Sequence, residues 1–341
     1  MSLRQEILRL GLGAAFVMTA GTATAASTLE TTQKNDEVAC GVSQGLPGFS
    51  SVDDQGVWSG IDVDVCRAVA AAIFGDADKV RYRPSSSKER FTALHAGEFD
   101  VLSRNTTWSL TRDTAQSLDF VAVNYYDGQG FMVRKELGVD SALELDGATL
   151  CINAGTTTEL NAADYFRTNG MSFEAVTFEK SDEVVAAYDS GRCDAWTTDA
   201  SGLYSNRIKL ANPADHKVLP EIISKEPLGP AVRQGDDQWA DIIRWSFYAM
   251  VAAEELGITA ANVDQMKSSP NPEIQRLLGV SGTMGEKLGL PADWAYQIIK
   301  QVGNYSESFE RNLGENSHLK ISRGLNALWT EGGLMYTPPV R

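Results

Sequence analysis

Gly60-Ile61-Asp62-Val63-Asp64-Val65-Cys66-Arg67-Ala68-Val69-Ala70-Ala71-Ala72-Ile73 runs into an amphipathic helix predicted over 64–74. Short apolar strands are predicted on either side, at 37–42 and 80–82. The alternation continues along the chain. Helices are predicted at 88–96, 157–169, 182–190 and 238–256, and strands at 99–102, 149–153 and 193–197. In the last helix Trp239, Ile242, Ile243, Phe247, Met250 and Val251 share one face at helical spacing. Such alternation specifies an α/β fold.

One local pattern occurs twice. The helix at 88–96 ends at Gly97, followed by Glu98-Phe99-Asp100 and a strand. The helix at 182–190 ends at Gly191, followed by Arg192-Cys193-Asp194 and a strand. Glycine stops a helix by turning left-handed. Helix–Gly–strand is common in α/β proteins, but its repetition favours two lobes of similar build. The length of 341 residues fits two domains of ~150 residues each. No low-complexity linker divides them, so the lobes are expected to be joined by short strand crossings.

The formal charge of −15 excludes the clustered Lys and Arg that nucleic acid or an anionic membrane surface would need. His95, His216 and His318 are the only histidines, and there is no CxxC or HExxH, which argues against zinc and other metal sites. Residues 1–25 carry Arg4 and Arg9 ahead of a short apolar stretch and Ala23-Thr24-Ala25, the pattern of a cleavable secretory signal peptide. The apolar run is below the ~20 residues a membrane span needs. Loss of Arg4, Glu6 and Arg9 with the signal takes the charge from −15 to −16.

Export changes the meaning of Cys40, Cys66, Cys151 and Cys193, which would sit in an oxidising compartment. Three pairings are possible, beside four free thiols. Cys40–Cys66 with Cys151–Cys193 keeps each bridge within one half of the chain and is the pairing expected. Loops of about 26 and 42 residues are then worth roughly 3.5 and 4 kcal/mol.

Gly41-Val42-Ser43-Gln44-Gly45 has the GxSxG spacing of a hydrolase nucleophile elbow, but Leu46-Pro47-Gly48 cannot open the helix that an elbow requires. The sequons Asn105-Thr106-Thr107 and Asn304-Tyr305-Ser306 are too short to carry weight. Ala154-Gly155-Thr156-Thr157-Thr158-Glu159 follows a strand and opens a helix. Thr156 and Glu159 have capping-box spacing, making Thr156 the expected N-cap of a helix start whose free N–H groups attract a carboxylate or phosphate. Arg112 follows the polar loop 103–111 and can fork onto a carboxylate; its plainer reading is an ion pair with Asp113 or Asp119. Asp199 lies just past a strand end, where α/β ligand sites gather, and can take an ammonium group; its plainer reading is a helix N-cap. An anion fork, an anion-binding helix start and an anionic acceptor together suit a zwitterion, a free α-amino acid.

The segment 60–73 resembles the signature of family 3 extracellular solute-binding proteins. Arg104-Asn105-Thr106-Thr107-Trp108, Cys151-Ile152-Asn153-Ala154-Gly155-Thr156-Thr157-Thr158 and Arg323-Gly324-Leu325-Asn326-Ala327-Leu328-Trp329 resemble the general L-amino-acid binding group of polar-amino-acid ABC transporters. The resemblance spans essentially the whole mature chain. It implies the two-lobe type II periplasmic binding protein fold, each lobe a mixed sheet flanked by helices, joined by two hinge strands. Lobe 1 would comprise 27–132 and 229–341 and lobe 2 would comprise 133–228, with crossings near 131–134 and 228–232. Carried over by position, Arg112 clamps the ligand α-carboxylate, and Thr107 and Thr157 offer it backbone N–H and hydroxyl donors. Asp199 takes the α-ammonium, helped by the Asn105 carbonyl. The walls facing the ligand side chain would be Ser43, Leu46 and Ser87, small and uncharged, implying broad acceptance of L-amino acids.

The function so implied is that of the periplasmic binding component of an amino-acid ABC transporter. It would be a monomer without cofactor or catalytic residues, closing on its ligand and delivering it to membrane permease subunits. An enzyme on the same fold, cyclohexadienyl-dehydratase-like, is the alternative, and it would need a general acid over a ring substrate.

Overall fold

The computed structural model describes residues 26–341; the signal-peptide reading of 1–25 lies outside them. The chain begins with α1 (Thr28–Asn35), β1 (Val38–Val42), the short hairpin β2 (Ser51–Val52) and β3 (Trp58–Ser59), and α2 (Ile61–Phe74). β4 (Val80–Pro84), α3 (Arg90–His95), β5 (Val101–Leu102) and β6 (Leu118–Phe120) follow. β7 (Tyr125–Asp127) leads to β8 (Gln129–Arg134), β9 (Ala148–Asn153), α4 (Thr158–Thr168), β10 (Phe173–Phe178), α5 (Ser181–Asp189), β11 (Ala195–Asp199), α6 (Ala200–Arg207) and β12 (His216–Val218). β13 (Glu226–Leu228) returns to β14 (Ala231–Arg233) and α7 (Asp237–Glu255). The chain then continues through α8 (Val263–Met266), α9 (Pro272–Leu277), α10 (Met284–Leu288), α11 (Trp294–Gln301) and α12 (Tyr305–Asn312).

Two five-stranded sheets result, in the orders β4-β1-β5-β14-β6 and β10-β9-β11-β8-β12. In the first, β1 is parallel to β4 and β5, and β14 is antiparallel to β5 and β6. In the second, β9 is parallel to β10 and β11, and β8 is antiparallel to β11 and β12. The plan is the same twice, and the repeated GxxD pattern is its local sign. Gly97 and Gly191 have φ of +74° and +78°. Asp100 N–H then donates to Ala39 O on β1, and Asp194 N–H to Thr149 O on β9, each at 2.9 Å. This is the mixed α/β, two-lobe type II architecture.

β7 and β13 run between the two sheets and pair antiparallel with each other, Asp127 opposite Glu226 and Tyr125 opposite Leu228. Residues 131–134 lie inside β8 of the second sheet instead of in a crossing. Cys40 on β1 is bonded to Cys66 on α2, and Cys151 on β9 to Cys193, so each bridge stays with one sheet. No helix among the described residues is long and apolar enough to cross a membrane.

α2 starts at Ile61, three residues before the expected 64, because Gly60 takes φ +132° and a Cβ there would sit 2.0 Å from Phe49 O. The helix is buried almost all round, its acids included. Asp62 accepts hydrogen bonds from Asn105 N–H (2.7 Å) and Asn124 Nδ2 (2.9 Å). Asp64 accepts from Ser308 Oγ (2.6 Å), Arg311 Nη2 (2.7 Å) and Asn312 Nδ2 (2.7 Å). The first acid holds the loop after β5; the second ties α12 to the first lobe. Ile298 and Ile299 of α11 are fully buried in the same core as α2 and α7, so the C-terminal stretch is an added layer of helices on that core.

Candidate functional site

The C-terminal ends of β1, β5, β9 and β11 face one cavity of about 560 Å³, mouth included. Arg112 and Asp199 both line it, as do Asn105, Thr107 and Thr157. The three wall positions Ser43, Leu46 and Ser87 line it too. The structure therefore brings all eight candidate residues together. The segments around the mouth also touch. Arg90 Nη2 donates to Gly155 O at 3.3 Å, Lys209 Nζ donates to Gly45 O at 2.5 Å, and Lys88 pairs with Glu179.

Arg112 stands on a π-type turn, Thr111–Ala115, and is 6% exposed. Its Nη1 donates to Thr107 O at 2.9 Å, and its guanidinium lies 5.3 Å from the Phe91 ring centre. Neither Asp113 nor Asp119 pairs with it among the described residues, which leaves donors of its guanidinium without a protein partner at the cavity. Burial lowers its pKa, opposed by Glu226 and Asp199.

Asp199 is the last residue of β11 and precedes α6, but its side chain does not cap that helix. It is 8% exposed, and burial, Asp127 and Glu226 push its pKa well up, against Arg90 and Arg112. Asp127, on β7, accepts from Gly128 N–H at 2.8 Å and from the Ser201 hydroxyl, and burial raises it to about 6. A cation arriving between these acids would remove the repulsion that raises Asp199.

Several details differ from the sequence reading. The hydroxyls of Thr107 and Thr157 are engaged within the protein, donating to Glu226 Oε2 at 2.6 and 2.9 Å. Glu226 Oε1 accepts from Asn161 Nδ2 and Ser224 Oγ, each at 2.7 Å. This buried carboxylate on β13 thus bridges residues attached to both sheets. Thr107 lies in a non-hydrogen-bonded position opposite Leu228, with its N–H pointing away from that strand. Thr156 is not the N-cap: α4 begins at Thr158 after Thr157, and Thr156 Oγ1 donates to Asn153 O at 2.8 Å while accepting from Thr158 N–H at 3.3 Å. Asn105 adopts φ +27° as its N–H reaches Asp62, and its Oδ1 is buried without a partner.

The wall is small but not uncharged. Ser43 Oγ donates to Ser50 O at 3.0 Å and accepts from Ser50 Oγ at 2.8 Å, so it is closed on itself. Ser87 Oγ accepts from Arg104 Nη1 at 3.1 Å. Arg104 and Arg90 both line the cavity, at 3% and 2% exposure. Sequence reasoning missed these two arginines and Glu226. Arg104 stands beside Asn105 in the motif already noticed, the one available signal; nothing local marks Arg90 or Glu226 as buried. Among the described residues no cluster of His, Cys, Asp and Glu could hold a metal.

Residues 38–260 match the model of bacterial extracellular solute-binding proteins, family 3. The chain is 59% identical over 341 residues to the general L-amino acid-binding periplasmic protein AapJ of Rhizobium johnstonii, covering 99% of this chain and 100% of that one. It is 57% identical over 320 residues to the glutamate/glutamine/aspartate/asparagine-binding protein BztA of Rhodobacter capsulatus, covering 94% and 95%. A solved periplasmic binding protein of an ABC transporter from Brucella ovis, with glutathione bound, superimposes with a TM-score of 0.91 at 60% identity, covering 93% of this chain and 100% of that chain. The chain belongs to the bacterial extracellular solute-binding proteins of family 3.

Proposed function

We propose that this protein is the periplasmic binding component of an amino-acid ABC transporter, capturing free L-amino acids and delivering them to membrane permease subunits. The observation that carries the reading is the placement of Arg112 and Asp199, attached to different sheets, on one cavity. The fork takes the α-carboxylate and Asp199 the α-ammonium; Thr107 N–H is placed to add a donor to the carboxylate. The names of the similar proteins support amino acids as ligands. Those relatives are named as binding proteins rather than enzymes, which disfavours the dehydratase-like alternative.

The moving bodies are lobes of 27–132 with 229–341, and of 133–228, hinged on β7 and β13. Because β8 pairs within the second sheet, the first boundary falls a few residues earlier, between β7 and β8. The mature protein acts as a monomer after removal of residues 1–25, without a cofactor.

The test is a thermal-shift screen against the twenty L-amino acids and several D-isomers, since a ligand of the native state raises apparent stability by mass action. Stabilisation by several L-isomers is expected. Arg112→Ala should cost about 2–5 kcal/mol of affinity by calorimetry, because Asp199 and the ligand carboxylate lose a buried counter-charge. Unchanged affinity in that variant would remove Arg112 from the site.

A second occupant is favoured by one observation. A wider cleft, about 940 Å³ with its open space, shares Ser87, Arg112, Thr156 and Thr157 with the cavity. A γ-glutamyl peptide carries the same α-amino and α-carboxyl groups on a longer body, as in the glutathione held by the Brucella protein. Glutathione therefore belongs in the screen.

A further inference from the structure

Three guanidinium groups, those of Arg90, Arg104 and Arg112, line the cavity, each at most 6% exposed. None forms an ion pair among the described residues. A zwitterion brings one carboxylate and one ammonium, so it needs one fork and one acid. The other two arginines are surplus to that requirement, and a buried charge without a partner is strongly unfavourable.

Arg90 has a structural use, although its Nε is buried without an acceptor. Its Nη1 donates to Thr106 Oγ1 at 3.2 Å and its Nη2 to Gly155 O at 3.3 Å, a brace across the cavity mouth. Arg104 has no comparable use. Its one protein hydrogen bond runs from Nη1 to Ser87 Oγ at 3.1 Å, and its Nε is buried without an acceptor. A guanidinium carries five N–H donors. Burial brings its pKa down to about 10, which leaves it fully charged at neutral pH. Asp62 is the acid that most favours this charge, yet its oxygens are engaged by Asn105 and Asn124. Arg104 is thus a held, charged, under-bonded donor at the Ser87 wall, where the ligand side chain would lie.

We infer that Arg104 sets the side-chain preference of this site, donating to a carboxylate or carboxamide carried one or two methylenes beyond the ligand Cβ or on it directly. This rests on the amino-acid reading above. Aliphatic amino acids still bind through Arg112 and Asp199, but leave Arg104 unanswered. Lysine and arginine would set a second cation against it. The site accepts many L-amino acids, but not equally.

Calorimetry on the mature protein tests this with L-glutamine, L-glutamate, L-norvaline (glutamine's chain without the amide) and L-alanine. Glutamine and glutamate should bind roughly ten- to hundredfold more tightly than norvaline, the usual difference for a hydrogen bond to a charged donor. Arg104→Met should bring glutamine and glutamate to the norvaline level while alanine changes by less than about threefold. Arg104→Lys, which keeps a charge but not the planar fork, should retain part of the preference. Wild-type protein that binds norvaline as tightly as glutamine overturns the inference, whether or not the variants fold. So does an Arg104→Met protein with a native melting profile that loses alanine and glutamine equally, since that is a general structural defect. Failure to bind any L-amino acid overturns the amino-acid reading itself.

Discussion

Gly155 separates closure of the cavity from stability of the fold. It sits between β9 and α4 at φ +75°, and a Cβ built on it would lie 2.7 Å from Lys88 Cα and 3.0 Å from Ser87 O. Lys88 precedes α3, on the opposite side of the cavity. Gly155→Ala therefore has two costs of different kind. The left-handed backbone costs an L-residue roughly 1–2 kcal/mol wherever the lobes stand. The steric cost arises only where the lobes meet. Carbon pairs prefer about 3.5–4.0 Å, and Lys88 Cα is backbone, which cannot rotate aside. Relieving the overlap requires the two sides to stand off by about an ångström, and overpacking of this sort costs roughly 1–3 kcal/mol. On the proposed mechanism ligand is bound in the closed form, so affinity should fall roughly five- to 150-fold.

The assay pairs titration calorimetry with denaturant unfolding of the ligand-free protein. Gly191→Ala is the control: φ is +78° but nothing lies within 4 Å of its Cβ. It should lose stability like Gly155→Ala and keep full affinity. If Gly155→Ala binds as well as wild type, the bound lobes do not meet at Lys88. If both variants lose affinity equally, backbone strain alone is responsible. Either result refutes the argument.

Binding should release protons in weak acid. Burial and acidic neighbours raise the Asp199 pKa, and a ligand ammonium beside it lowers it again, so the bound state holds fewer protons. Affinity should then rise with pH from the ordinary carboxylate range up to the raised value. Over that window the ligand-free fold binds protons more tightly than the unfolded chain, so this group's contribution favours the empty fold at lower pH and fades as pH rises. Calorimetry near pH 6 in buffers of different ionisation enthalpy reads the proton count directly; net uptake would contradict the assignment. Replacing Cys151 and Cys193 by Ser together should cost about 4 kcal/mol of unfolding free energy for the 42-residue separation, against about 3.5 kcal/mol for Cys40 and Cys66 at 26. Chemical denaturation of the two double variants checks the size and order of the losses.

The parts of the fold legible in the sequence were those set by neighbours along the chain. Gly97 and Gly191 mark the same turn because a left-handed C-cap is a local event, and the cysteines pair locally because each strand–helix unit folds on itself. Arg112 and Asp199 were legible because strand ends in α/β sheets point to one side. What escaped is what burial decides. Asp62 and Asp64 drew no reading from the sequence, yet each is buried and organises a distant segment. Arg104 and Arg90 went unassigned because a sequence gives charge but not depth. The hydroxyls of Thr107 and Thr157 turn to Glu226, a partner 119 and 69 residues away, which no local spacing could reveal.

These buried charges also bear on why a complete amino acid is required. A ligand shifts the open–closed balance only by the difference in its affinity for the two states. On the proposed assignment a carboxylate alone would meet Arg112, which is attached to the first sheet, and gain nothing that demands closure. An ammonium alone would meet Asp199, at the end of β11 in the second. Only a molecule bearing both at amino-acid spacing would touch both sheets at once, and it would do so across a gap where Asp199 repels Asp127 and Glu226 and Arg90 repels Arg112, while the two arginines attract Asp199. Each wall of the empty cavity therefore carries like-charge repulsion of its own. On the proposed assignment the zwitterion would relieve both walls together, so closure would be coupled to the identity of the ligand's two charged ends, while Arg104 would add discrimination among the side chains behind them.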